Sequence, residues 1–150
     1  MTQIVAHGLS VTVPPGWEGR VLRRVAATAA EQTHTVGHFG TFPLPEQRDD
    51  FGGGVTELMR TGDAFVVLFE YGAESVGTPL FEAQGIPRVD ATAFSSRRLQ
   101  RPLPGQLGCQ LFFTVSGRPF CLYVVAGSRV ALPSIVSKVN ALLDRVIVTR

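Results

Sequence analysis

The sequence predicts a single α+β domain over residues 1–150, an antiparallel sheet packed by helices, with a C-terminal β-hairpin followed by an amphipathic helix. Three observations carry that prediction. Residues 107–115 and 120–126 alternate their side chains with period two on either side of Ser116-Gly117-Arg118, the pattern of paired strands across a turn. Residues 132–146 instead repeat Leu132, Ile135, Val136, Val139, Leu142, Leu143 and Val146 at spacings of three and four, the apolar stripe of a helix. The 16 glycines and 10 prolines punctuate the chain more heavily than a helical bundle tolerates.

Taken in chain order, Leu9, Val11 and Val13 alternate with Ser10 and Thr12 in a short strand from Gly8 to Val13, stopped by Pro14-Pro15-Gly16. A second strand runs from Trp17 to Val25, with Trp17, Gly19, Val21, Arg23 and Val25 on one face. Ala26-Ala27-Thr28-Ala29-Ala30 fits either a strand end or a helical turn. Thr33 to Phe42 is extended and ends at Pro43 and Pro45, before the polar loop Glu46-Gln47-Arg48-Asp49-Asp50. Gly52-Gly53-Gly54 forms a joint to Val55–Arg60, which reads as one helical turn or a short strand. Ala64 to Tyr71 is apolar except for Glu70, the mark of a central strand buried on both faces. Residues 72–105 are broken by Gly and Pro, with a possible strand at Ala93–Leu99, and form the natural place for a long functional loop. After the hairpin, Pro133 suits the first turn of the helix, and Val146-Ile147-Val148 leaves it as a short terminal extension.

A chain of 150 residues that is 45% apolar can bury one substantial core without a metal or disulfide staple. The formal net charge of +2 supplies no strong field for nucleic acid or an anionic membrane. No apolar run reaches the eighteen or so residues that cross a bilayer. Met1-Thr-Gln-Ile-Val has neither the basic nor the apolar region of a signal peptide, so a cytoplasmic location is expected. With the hairpin turn centred on Gly117-Arg118, Cys109 faces Ala126 and Cys121 faces Thr114. Five strand positions, roughly 17 Å, then separate the thiols, and both are expected buried and free.

Candidate chemistry is sparse. His34 and His38 share a strand face about 13 Å apart, too far to ligate one metal. Glu46, Asp49 and Asp50 lack the alternating oxygen pattern of a hard-metal loop. Gly52-Gly53-Gly54 lacks both the Lys-Ser/Thr of a phosphate-binding loop and the spacing of a dinucleotide loop. No serine sits in a Gly-x-Ser-x-Gly elbow. No catalytic, metal or cofactor motif emerges. Arg88, Arg97, Arg98 and Arg101 form the one local basic patch, and Phe94 adds a stacking surface. At net +2 this patch reads as a solvated edge or protein contact rather than a nucleic-acid surface, and Phe94, Arg97, Arg98 and Arg101 are the protein-contact candidates.

The opening strand with Val13-Pro14-Pro15-Gly16-Trp17, the closing strand from Gly117-Arg118-Pro119-Phe120 to Ala126-Gly127, and the helix from Ile135 to Leu143 together resemble the PsbP/Mog1-like family. The landmarks cover roughly a third of the chain, and residues 43–105 have no counterpart among them. The resemblance implies a small sandwich around an antiparallel sheet, and roles that are mostly not enzymatic. These include a photosystem II extrinsic subunit, a Ran-GTPase-binding factor and bacterial chaperones or adaptors for secreted effectors. The shared positions, Gly16, Trp17 and Gly117, are structural, so the resemblance assigns no functional residue. A plant-type leader is missing, which argues against a photosynthetic role.

The expected function is therefore that of a non-enzymatic protein-binding adaptor, chaperone or assembly subunit, with no cofactor, a protein partner and homo-oligomerisation. Phe39, Phe42, Phe51, Phe81 and Phe94 would form its interface core and the arginines its polar anchors. The rival expectation is a small-ligand-binding domain or an enzyme with an enclosed pocket between the sheet and residues 72–105.

Overall fold

Eight strands and one α-helix follow one another in the computed structural model, which describes residues 2–25 and 33–150. They are β1 (Thr2–Ala6), β2 (Leu9–Val13), β3 (Glu18–Val25), β4 (Thr33–Gly40), β5 (Ala64–Glu70), β6 (Leu107–Val115), β7 (Arg118–Ala126), α1 (Leu132–Leu143) and β8 (Val146–Val148). The alanine-rich stretch 26–30 lies outside the described residues. The strands form two antiparallel sheets, one ordered β1-β2-β8 and the other β3-β4-β5-β7-β6.

This architecture corrects the expected fold. One antiparallel sheet packed by several helices, ending in the helix and a short terminal extension, is replaced by two sheets and a single α-helix among the described residues, with the extension forming a paired strand. The chain turns out of α1 at Asp144 and Arg145 and returns as β8, antiparallel to β2. Side-chain shape explains the switch. The β-branched run Val146-Ile147-Val148 resists helical χ1 geometry and alternates well on a strand, so Val146 and Val148 turn inward, both 7% exposed, while Ile147 faces out. At the other end, β1 escapes sequence reading because it pairs through His7-Gly8. Both residues have positive φ, 52° and 79°, as a tight two-residue hairpin requires, without the usual Asn-Gly signature.

The β6–β7 hairpin has a different register from the one expected. Its two central turn residues are Ser116 and Gly117, with φ of 51° and 72°, so Val115 faces Arg118 rather than Ser116 facing Pro119. Every cross-strand pair shifts by two positions. Cys109 lies opposite Val124 and Cys121 opposite Phe112. The two thiols point to opposite faces of the sheet, one into each core, and are buried and free.

The five-stranded sheet is buried on both sides. Its first face packs against the inner face of the small sheet and against α1, through Val66, Leu68, Phe113, Leu122 and Val124 on the sheet and Leu9, Val11, Ile135, Val139 and Leu142 opposite. Trp17 and Val21 of the second strand segment join this core from its edge. Ile135, Val139 and Leu142 have no exposed surface, and burial of each contributes about 1.5–3 kcal/mol. The second face carries Val36, Phe65, Val67, Cys121, Tyr123 and Val125 and is roofed by the 41–60 segment through Phe42, Leu44 and Val55. Central strand β5 supplies both cores, which is why its sequence is apolar without alternation.

Residues 72–105 cross the sheet as irregular chain with short 3₁₀ turns at Ala73–Ser75, Pro79–Phe81, Ala91–Ala93 and Ser96–Arg98. The strand expected at Ala93–Leu99 is replaced by the last two of these turns. Asp90 and Ser95 accept hydrogen bonds from the backbone of Thr92 and Arg97, and these local turns outcompete strand pairing except where Ser95 bridges Gly108. Val55–Arg60 likewise holds a 3₁₀ turn, Thr56–Leu58. Polar side chains pin the crossing segment. Asn140, buried on α1, accepts from Val89 N–H at 2.8 Å and donates to Val89 C=O at 3.0 Å. Thr114 donates to the Phe81 carbonyl at 2.7 Å, and the Tyr123 hydroxyl accepts from Gln100 N–H at 2.7 Å.

Candidate functional site

The expected contact residues do not converge. Phe94 is only 4% exposed and packs in the first core, so it offers no stacking face. Arg97 and Arg98 are exposed on the 3₁₀ turn beside β6, while Arg101 turns away to pair with Glu57 at 3.2 Å. Arg88 pairs with Asp144, just past the end of α1, at the far end of its segment. The aromatic residues behave similarly. Phe39, Phe42 and Phe81 are buried, and Phe51 stacks on Phe69 at 5.1 Å and meets Tyr123 edge-on. Phe39 lies on β4 itself and faces the first core, while the loops that carry the others are apolar because they cover the sheet, an alternative that composition cannot separate from an exposed interface.

The histidines are held by structural bonds. On β4, His34 and His38 share a face, His34 stacked on Phe69 and His38 against Phe65. Arg48 Nε donates to His38 Nδ1 at 2.9 Å. Because arginine can only donate, the ring proton sits on Nε2, which donates to the Asp50 carbonyl at 2.8 Å. Burial chiefly, with the Arg48 charge, lowers the His38 pKa to about 4. His34 Nδ1 donates to the Glu70 carbonyl at 2.9 Å. Burial raises both thiols to about 11, well away from a nucleophile's range.

The acidic loop and the glycine joint are also internally engaged. Asp50 pairs with Arg24 at 2.6 Å. The Asp49 carboxylate lies against Gly53, placing negative charge where an anion-binding loop would need none. No group of three His, Cys, Asp or Glu side chains able to hold a metal occurs among the described residues. No helix among them is long and apolar enough to cross a membrane.

Two surfaces among the described residues group several open positions together. One is the outer face of the small sheet, where Val5, Ser10 and Ile147 stand in one cross-strand row, with Gln3 and Thr12 beside it. Val5 is 71% and Ile147 61% exposed, and the three side chains of this row are uncharged. Among the described residues, the ladder hydrogen bonds of β1 run to β2 alone, leaving its other edge unpaired. The other is a set of clefts. The largest of four, about 440 Å³, lies beside Trp17, Arg60 and Lys138. Another, about 390 Å³, opens over the Glu70–Arg118 pair next to Arg23 and Arg150. Of these four clefts, only one touches the 72–105 segment, through Gly72, Ala73 and Glu74. Sequence reading missed the small-sheet face because β1 and β8 are short, and missed the Trp17 cleft because its walls come from four separated stretches. A scan against protein-family models and searches of curated proteins and of solved structures found no match to this chain.

Proposed function

We propose that this domain is a non-enzymatic protein-binding module, an adaptor, chaperone or assembly subunit, that engages its partner through the small sheet. The observation that carries the reading is the uncharged row Val5–Ser10–Ile147 beside the edge of β1 that is unpaired among the described residues. An edge strand free of charge and proline invites another strand, and stable monomers normally guard such edges. A partner supplying an extended segment would gain main-chain hydrogen bonds from β1 and seat its apolar side chains on Val5 and Ile147. The resemblance to PsbP/Mog1-like proteins implies the same class of role. The partner is a second copy of this chain or another protein, and buried free thiols suit the reducing cytoplasm as the place of action.

The test is cross-linking with mass-spectrometric mapping in extract of the native host, alongside light scattering of the purified chain. Cross-links or self-association mapping to β1 and β8, and lost in a Val5→Lys/Ile147→Lys variant of unchanged unfolding midpoint, are expected. A partner retained by that variant would remove the small sheet from consideration.

A further inference from the structure

The cleft beside Trp17 is assembled where β4 ends and β5 begins, with α1 as one wall. Its floor is Asp63, 5% exposed, and both carboxylate oxygens are engaged. Oδ1 accepts from Thr41 Oγ1 at 3.0 Å, and Oδ2 accepts from Arg60 N–H at 2.9 Å with the Arg60 guanidinium 3.5 Å away. Thr41 Oγ1 in turn accepts from Ala64 N–H at 3.0 Å. The carboxylate is thus committed to holding the turn before β5 and has little left for a cationic ligand. At the rim stand Arg60, its side chain 82% exposed, and Lys138, the sole lysine, which has no carboxylate partner among the described residues. Arg60 balances the Asp63 carboxylate, and Lys138 adds one further positive charge, so the rim carries a net charge of one cation. The remaining wall is the indole of Trp17, half-buried against the first core, with exposed Pro15 and Gly16 next to it.

We propose that this cleft binds a small anion bearing a flat ring. The ring lies on the Trp17 indole, and the charged group sits between Lys138 and Arg60. A bare anion would meet only two exposed cations on flexible stems, which hold charge weakly in water. A neutral ring would leave those cations unanswered. An aryl or nucleoside phosphate, or an aryl carboxylate, meets both requirements, combining an aromatic contact with charge-assisted hydrogen bonds. None of the lining residues belongs to the outer face of the small sheet, so this proposal and the protein-binding reading stand or fall on different variants.

Trp17 is the chain's only tryptophan, so its fluorescence reports on this cleft alone. Titration of the whole protein with phenyl phosphate, compared with inorganic phosphate and with phenol, is the test. Saturable quenching by phenyl phosphate is expected, with a Kd about tenfold below that of either part alone. Lys138→Gln and Arg60→Gln should each weaken it by about fivefold, as loss of one exposed charge contact would. The unfolding midpoint should not move in Lys138→Gln, whose side chain lies at the surface with no ion pair among the described residues, so that variant separates lost binding from lost stability. Quenching that stays linear in concentration, affinity unchanged in both variants, or inorganic phosphate binding as tightly as phenyl phosphate would overturn the proposal.

Discussion

Arg118 grips Glu70 in a fork, with Nε 2.7 Å from Oε2 and Nη2 2.8 Å from Oε1, and both side chains are largely buried. The same guanidinium donates to the carbonyls of Thr149 and His7, so one side chain ties β7 to β5, to the turn between β1 and β2, and to the end of β8. Lysine cannot reproduce a planar fork. Arg118→Lys should cost about 2–3 kcal/mol in denaturant-induced unfolding, with the small sheet losing most of its hydrogen-exchange protection. A loss confined to a few tenths of a kcal/mol would show that the fork contributes little.

Glu70 adds an acid-side dependence to the same junction. Desolvation works to raise its pKa, but the hydrogen bonds and charge of Arg118, with Thr35 and Arg23, together outweigh it and hold the carboxyl below its ordinary value. The pair's stability is therefore complete above the unfolded carboxylate pKa and fades as pH falls through the lower folded value.

His38 acts earlier on the same descent. Below pH 6.5 the unfolded chain takes up a proton on this residue, while the folded chain declines it until about pH 4. The unfolded state then binds more protons, so stability drops with acid between those values, by roughly 3 kcal/mol in total. Unfolding free energies measured from pH 7 to pH 4 should show this slope, and His38→Gln should flatten it. An unchanged slope in that variant would assign the acid sensitivity to other groups.

Asn140 pairs with both backbone groups of Val89, and so stands in for a neighbouring strand. Asn140→Leu keeps the volume but strands a buried N–H and C=O. The expected cost is about 2–4 kcal/mol, with limited proteolysis accelerating first within residues 72–105. Cleavage elsewhere in the chain before that segment would contradict the anchoring role.

Cys109 and Cys121 should be silent to a thiol reagent at pH 8 in the native state and both react in denaturant. Burial raises each to about 11, and the sheet itself stands between them. Formation of an intramolecular disulfide in the folded protein under oxidant would contradict the observed register.

The legible parts of this fold are those whose signal is local and repeated. The period-two runs of β6 and β7, the apolar stripe of α1 and the unbroken apolar run of β5 each follow from neighbours within a few residues. Register depended on a turn whose first central residue is Ser116 at positive φ, a conformation serine rarely advertises. β8 has three residues, too few to show a period. Phenylalanines such as Phe42 and Phe94 looked available because loops usually face water, but here the loops are the roof of the sheet. The Trp17 cleft joins residues 17, 41, 60, 63 and 138, a juxtaposition only the folded chain makes.

The small sheet joins the two ends of the described chain, since Leu9 pairs with Val148 and Ser10 with Ile147. Closing that pairing spans almost the whole sequence, and its loop-closure entropy falls due only after the intervening strands have narrowed the search. On the ribosome, the β1–β2 hairpin emerges before β8 is synthesised, its inner row of Leu9, Val11 and Val13 meanwhile lacking its final neighbour. The surface on which protein binding is proposed is therefore among the last parts of this fold to be completed, and a chain lacking β8 would present the hairpin without it.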